Sequence, residues 1–185
     1  MYTVELMIKE HDNILKFIHV VENACCGILE GREVDFDDFE NMILFARNYA
    51  DKHHHGKEEQ ILFAEMLKHL GKIGVNLVQH GMLVEHDLGR LHILDLENSL
   101  KLYKKEPETI HKLGILEGAA GYANLLKRHI DKENNAVYPY AEKNLPHDVL
   151  ESVDKQIKDF ERDEEDNQVQ KKYIEMLEQL TKKYC

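Results

Sequence analysis

Tryptophan is absent, and only 3 prolines and 10 glycines interrupt 185 residues. So few chain breakers exclude a turn-rich β fold and leave room for long helices. Cysteine is scarce as well. Cys25, Cys26 and Cys185 are odd in number, two are adjacent, and none forms a C-x-x-C pair. A disulfide framework is therefore excluded and the cysteines read as reduced thiols, with a redox role for Cys25 and Cys26 as the competing reading. Positive charge is in deficit: 24 Lys and Arg against 35 Asp and Glu give a net charge of −11, which argues against nucleic acid and anionic membrane surfaces as partners. No apolar stretch approaches the roughly 18 residues that a membrane span requires. Met1-Tyr2-Thr3-Val4-Glu5 offers no basic region and no apolar run after it. Neither an anchor nor a signal peptide is expected, and a cytoplasmic location follows by default.

What the chain has in excess is histidine, 12 in all, with an unbroken run at His53-His54-His55. Glu58 and Glu59 follow one helical turn later, and His129-Ile130-Asp131-Lys132-Glu133 repeats the spacing. An imidazole and a carboxylate four residues apart on a helix lie one above the other, with Cβ atoms roughly 5–6 Å apart, so both can reach one metal ion or the carboxylate can bridge two.

Apolar periodicity places these turns on four helical segments of similar length. Segment one runs from about Thr3 to Glu30, with Val4, Met7, Ile8, His11, Ile14, Leu15 and Ile18 on one stripe and Gly31 as its stop. Asp35 is the expected N-cap of segment two, about Phe36 to Leu70. Segment three runs from about Val75 to Lys104 with Val78, Met82, His86, Ile93 and Leu94 on one face. Pro107 marks the start of segment four, about Glu108 to Asn144, which Pro139 should bend near its end. The predicted fold is all-α: an up-down-up-down four-helix bundle over residues 1–145, with residues 146–185 as a helical extension packed on it. In that extension, Glu161 to Asp166 is expected to be a solvated break between two helices.

Antiparallel packing brings His11, Glu59, His86 and Glu133 to a similar depth, each about eight to eleven residues from one end of the bundle. Six residues are expected in that layer: His11, His55, Glu59, His86, His129 and Glu133. Four imidazoles and two carboxylates exceed the needs of one tetrahedral zinc and suit two metals roughly 3.5–4 Å apart, with iron preferred for an oxygen- and nitrogen-rich site with vacancies. His54 and Glu58 have the same spacing. His55 and Glu59 are favoured because their face continues into Leu62, Phe63 and Met66, whereas the face of His54 reaches Glu65. His147 and Glu151 also match but follow Pro146 at a helix start, where exposure is expected. Tyr49, Tyr122 and Tyr140 are candidates for lining the pocket, His19 lies two turns from His11, and Arg90 is placed to pair with a carboxylate behind His86.

The chain resembles the hemerythrin-like, HHE cation-binding family. The likeness is carried by His11 in Lys9-Glu10-His11-Asp12-Asn13-Ile14, by His54 to Phe63, by Met82-Leu83-Val84-Glu85-His86, and by His129 to Asn134 leading to Tyr138-Pro139. The resemblance implies a carboxylate-bridged, non-haem di-iron centre, oxo- or hydroxo-bridged. His11, His55, His86 and His129 would be its terminal ligands, and Glu59 and Glu133 its bridges. The oxygen carriers of the family have five histidines, two of them one turn apart on the third helix; here Met82 stands one turn before His86. They also carry a bridging aspartate five residues after the last histidine, where this chain has Glu133 four after His129. The expected function is therefore binding or sensing of O2, NO or peroxide. The alternatives are reduction of O2 or peroxide with an external redox partner protein, or donation of iron to damaged iron–sulfur centres.

Overall fold

The computed structural model describes residues 1–166 and 168–185, leaving aside the side chains of 164–166. Among the described residues the chain is all helical, with no strand. The first helix, α1 (Tyr2–Leu29), stops where expected: Gly31 has φ +98°, a left-handed turn that L side chains resist. The second rod opens with α2 (Phe36–Phe45), capped by Asp35, whose carboxylate accepts from Asp38 N at 3.1 Å. It does not stay α-helical. Ala46–His55 and Glu58–Leu62 are π-helical, and α3 (Phe63–His69) completes the rod.

Gly71, at φ +54°, turns the chain into α4 (Gly71–Leu77). A π turn at Val78–Met82 follows and then α5 (Leu83–Lys105), so the third rod begins a few residues before the expected Val75. The fourth comprises α6 (Thr109–Lys132), a π turn at Glu133–Val137 and α7 (Tyr138–Asn144). Pro107 precedes the N-cap Glu108 and is not itself in the first turn. Pro139 sits in the first turn of α7, directly after the π turn. That position removes the N–H that proline lacks from the register of a regular helix.

The four rods close on one another: α1 packs on α6, α6 on α5, α5 on α2 and its π-helical continuation, and that continuation on α1. The tightest approach is α5 against α6. A Cβ added at Gly118 would sit 2.8 Å from the Leu96 nitrogen, so only glycine allows the two backbones to come this close.

The core is split in two. One half holds Ile14, Phe17, Phe45, Ala50, Ile93 and Ile130, with Phe17 and Phe45 stacked at 4.4 Å. The other holds Met7, Ile61, Met82 and Val137. On each rod the polar residues of interest lie between a member of one half and a member of the other. The last two helices each close one half: α9 (Val169–Tyr184) adds Tyr173, Leu177 and Leu180 to the first, and α8 (His147–Asp166) adds Val153 and Ile157 to the second. The expected break at Glu161–Asp166 is not there. Helix α8 runs to Asp166, and Glu161 faces the protein because it meets the buried Lys57. The side chains of the rest of that stretch, 164–166, lie outside the described residues.

Candidate metal centre

Between the two halves of the core lies a buried layer of seven side chains. His55, Glu58, His86 and His129 offer ligand atoms within 4.8 Å of one another, and so do His11, His54, Glu58 and Glu133. Glu58 belongs to both groups. All seven are buried, none more than 3% exposed.

Of the six residues expected from sequence, five are brought together: His11, His55, His86, His129 and Glu133. Glu59 is not among them. Its side chain is 27% exposed, accepts from His86 Nδ1 at 2.7 Å, and pairs with Arg90 at 2.6 Å. Glu58 takes the inner place, and His54 joins as a fifth imidazole. The physical reason is the backbone. Neighbouring residues on an α-helix diverge by about 100°, which would send His54 and His55 to different faces. The π-helical path through Ala46–His55, with i→i+5 bonding, has a wider turn, and both rings point inward. π segments are rare and collect at functional sites; here one lies on each of three rods beside the layer.

Each imidazole is oriented from outside. Nδ1 of His11 meets Asn134 Oδ1 (2.8 Å), that of His54 meets Glu10 (2.8 Å), and that of His55 meets Asp51 (3.3 Å). His86 meets Glu59 (2.7 Å) and His129 meets Glu85 (3.0 Å) through the same nitrogen. These oxygens can only accept, so each Nδ1 must donate, and each Nε2 is left as a bare lone pair facing the layer. The acids are held in turn: Arg90 bonds both Asp51 and Glu59, and Lys132 bonds Glu85. The pairing expected for Arg90 is thus present.

The inner faces fit a cation better than they fit one another. His54 Nε2 and His11 Nε2 are 2.9 Å apart, and His86 Nε2 and His129 Nε2 are 3.1 Å apart. Glu133 Oε2 is 3.2 Å from His11 and Oε1 is 3.1 Å from His129, yet neither oxygen is aligned for a hydrogen bond, and Glu58 Oε2 likewise has no donor. Three buried carboxylate oxygens without aligned donors would cost several kcal/mol unless a cation satisfied them.

The titration of the metal-free layer shows the same conflict. Burial and the neighbouring Glu133 raise Glu58 well above the ordinary carboxylate range. Burial would raise Glu133 too, but His129, His11 and His86 hold it well below. Glu58 therefore carries the proton and Glu133 the charge. Burial alone would lower His129; Glu133, Glu85 and Glu58 outweigh it and raise the group to about 10. Burial and the nearby His11 bring His54 down to about 4, and burial with His86 puts His55 well below its usual value.

Tyr138 was not singled out as a pocket residue by sequence, yet it is the tyrosine that reaches the layer. It is fully buried, donates to Glu58 Oε1, and lies 3.4 Å from His11 Nε2. Of the expected tyrosines, Tyr49 stacks on Phe45 and accepts from Asn13, Tyr140 packs at the edge of the second core half, and only Tyr122 lines a cleft near the site. That cleft, about 360 Å³, opens beside His55 and His86 and is also lined by Asp51, Gly89 and Arg90. His19 bonds Asn23 away from the layer, and His147 and Glu151 are exposed at 86% and 72%.

A third cluster, Glu10, His53 and Glu161, is already filled by the ammonium of Lys57, which bonds both acids and lies 3.2 Å from His53. Glu161 thereby ties α8 to the same Glu10 that orients His54. Cys25 is buried and its thiol is pushed up to about 11 by that burial, which leaves little thiolate at neutral pH.

A helical scaffold that buries five outward-anchored imidazoles around two carboxylates defines a class of protein whose site is suited to holding metal cations. The family model of the hemerythrin HHE cation binding domain matches residues 2–141, and the chain belongs to that family. No curated protein and no solved structure gives a significant match. No helix among the described residues is long and apolar enough to cross a membrane.

Proposed function

We propose that this chain is a four-helix-bundle di-iron protein that binds O2, NO or peroxide, in a binding or sensing role. The observation that carries this reading is the pair of interpenetrating ligand groups sharing Glu58. His55, His86 and His129 would hold one iron, His11 and His54 the other, with Glu58 and Glu133 spanning both. The fifth imidazole, which the oxygen carriers place on their third helix, would come here from the second rod through His54. Two iron ions supply vacant coordination positions and one-electron chemistry.

The chain's own residues do the rest. Three imidazoles on one side and two on the other leave the second side short of ligands, and Tyr138 donates its hydrogen bond on that side. The apolar halves above and below keep bulk water from the layer. The outer acids fix each ring before any metal arrives, so little side-chain entropy is lost on binding.

Metal analysis of the purified chain, with absorption spectra under nitrogen, after air and after degassing, tests this. About two irons per chain and a spectral change that reverses on degassing are expected. Less than one metal per chain, or a spectrum indifferent to O2, NO and peroxide, rules the reading out. One observation favours a second reading, reduction of O2 or peroxide with an external electron donor: the cleft beside His55 and His86 is roomier than a diatomic ligand needs. Steady consumption of peroxide with a reductant would select it.

A further inference from the structure

We propose that the outer face of α5 is a dimer interface, on which two copies of this chain pack antiparallel about a twofold axis near Leu94. Val84, Leu88, Leu91, Leu94 and Leu102 are 44–51% exposed, on one helix. Their spacing of three or four residues, broken only between Leu94 and Leu102, makes a stripe about 27 Å long. Sequence periodicity had put Leu94 on the inner face with Ile93; the structure turns Ile93 in and Leu94 out.

The other two sides of α5 are spoken for. Leu96 and Ser99 face the glycines Gly118 and Gly114 of α6, while Ile93, Glu97 and Leu100 face α2 and its continuation. The stripe is the third side. Ile110 and Leu113, 61% and 46% exposed at the start of α6, widen it near Leu102. Contiguous exposed apolar surface of this kind on a soluble chain marks a contact site.

Charge selects the occupant and its direction. Flanking the stripe, Asp87 and Asp95 lie in the first half of α5, and Lys101 and Lys105 in the second. Asp87, Lys101 and Lys105 are 78%, 67% and 79% exposed, and their pairings are local ones, with Arg90, Glu97 and Glu106. Such exposed pairs are weak and exchange readily. A second copy laid antiparallel brings Asp87 opposite Lys101 and Val84 opposite the turn that carries Leu102 and Lys105. A parallel copy would set acid against acid. The surface is therefore self-complementary under a twofold, as an isologous interface must be. One helix face offers less than the roughly 800 Å² per partner of a standard interface, so the dimer should be weak, with Kd on the order of 1–100 µM.

Sedimentation equilibrium of the full chain, as purified with its metal, from about 5 to about 200 µM tests the proposal. The wild type should pass from monomer to dimer in that range. Leu94→Glu should stay monomeric throughout, with unchanged helical circular dichroism and metal content because Leu94 is half exposed. The pair Asp87→Lys/Asp95→Lys and the pair Lys101→Glu/Lys105→Glu should each be monomeric alone and dimerise when mixed, less so at high salt. A wild type monomeric at the top of the range overturns the proposal. So does a dimer indifferent to Leu94→Glu, or charge variants that fail to reassociate. A monomer that cosediments with phosphatidylcholine vesicles, and loses this with Leu94→Glu, overturns it in favour of a lipid-facing stripe.

Discussion

Replacing Glu58 by Gln should have opposite effects with and without metal. In the metal-free chain Glu58 is fully buried, Tyr138 supplies its hydrogen bond, and Oε2 has no donor. Burial and Glu133 raise its pKa, so the folded chain holds a proton there that the unfolded chain releases above the ordinary value of 4.5. Folding must then take up a proton, at a cost of about 1.4 kcal/mol for each pH unit above that value, or up to about 3 kcal/mol at pH 7. Gln keeps the volume and the acceptor for Tyr138 without that cost. Metal-free Glu58→Gln should therefore be more stable than wild type at pH 7 by up to about 3 kcal/mol. The gain should shrink toward zero as pH falls to 4.5, since there both chains carry a neutral group when unfolded. With iron the order reverses. A free metal concentration a thousand times Kd adds about 4 kcal/mol to the wild type, and the amide, a neutral and poor bridge, should forfeit most of it. Urea unfolding followed by circular dichroism, with and without ferrous iron under nitrogen, reads both effects. A Gln variant less stable than wild type without metal, or one that keeps the full metal-dependent gain, would refute the assignment of Glu58 as an inward, cation-seeking carboxylate.

Other outcomes follow from the same geometry. Because His129 is raised to about 10, metal binding at pH 7 must expel its proton, so affinity should climb with pH between 7 and 10. Calorimetry in two buffers of different ionisation enthalpy measures the release, and a pH-independent affinity counts against it. Glu59→Ala should retain the bridge but leave His86 Nδ1 without its acceptor. Metal affinity should then fall about 10–100-fold, short of the collapse expected for Glu58→Ala, and equal losses in competition titrations would contradict the inner and outer placement of the two acids. Glu161→Ala takes from the fully buried Lys57 one of its two acids, and the folded chain should lose roughly 3 kcal/mol in urea unfolding. A loss below about 1 kcal/mol would mean that α8 is not anchored there.

The rods and their common level were legible from the chain alone. A stop at Gly31, a cap at Asp35, and apolar residues recurring at three and four are local facts, since helix ends and helix faces are set by neighbours within one turn. The choice between Glu58 and Glu59 was not local. Their spacing to the histidines is equivalent, and on an α-helix only one of two adjacent histidines can face a given partner. The backbone widens to i→i+5 across Ala46–His55, which turns both His54 and His55 inward and Glu59 outward to Arg90. A signal was present in the acids at Glu10, Asp51 and Glu85, each placed to hold the outer nitrogen of a histidine, but those partners lie on other rods for all but Asp51. Helical periodicity thus determined that imidazoles from four rods would meet at one depth. Only packing decided which nitrogen, which of two neighbouring carboxylates and how many rings meet there, because those depend on contacts between rods and on a π-helical backbone that no pattern of spacing specifies.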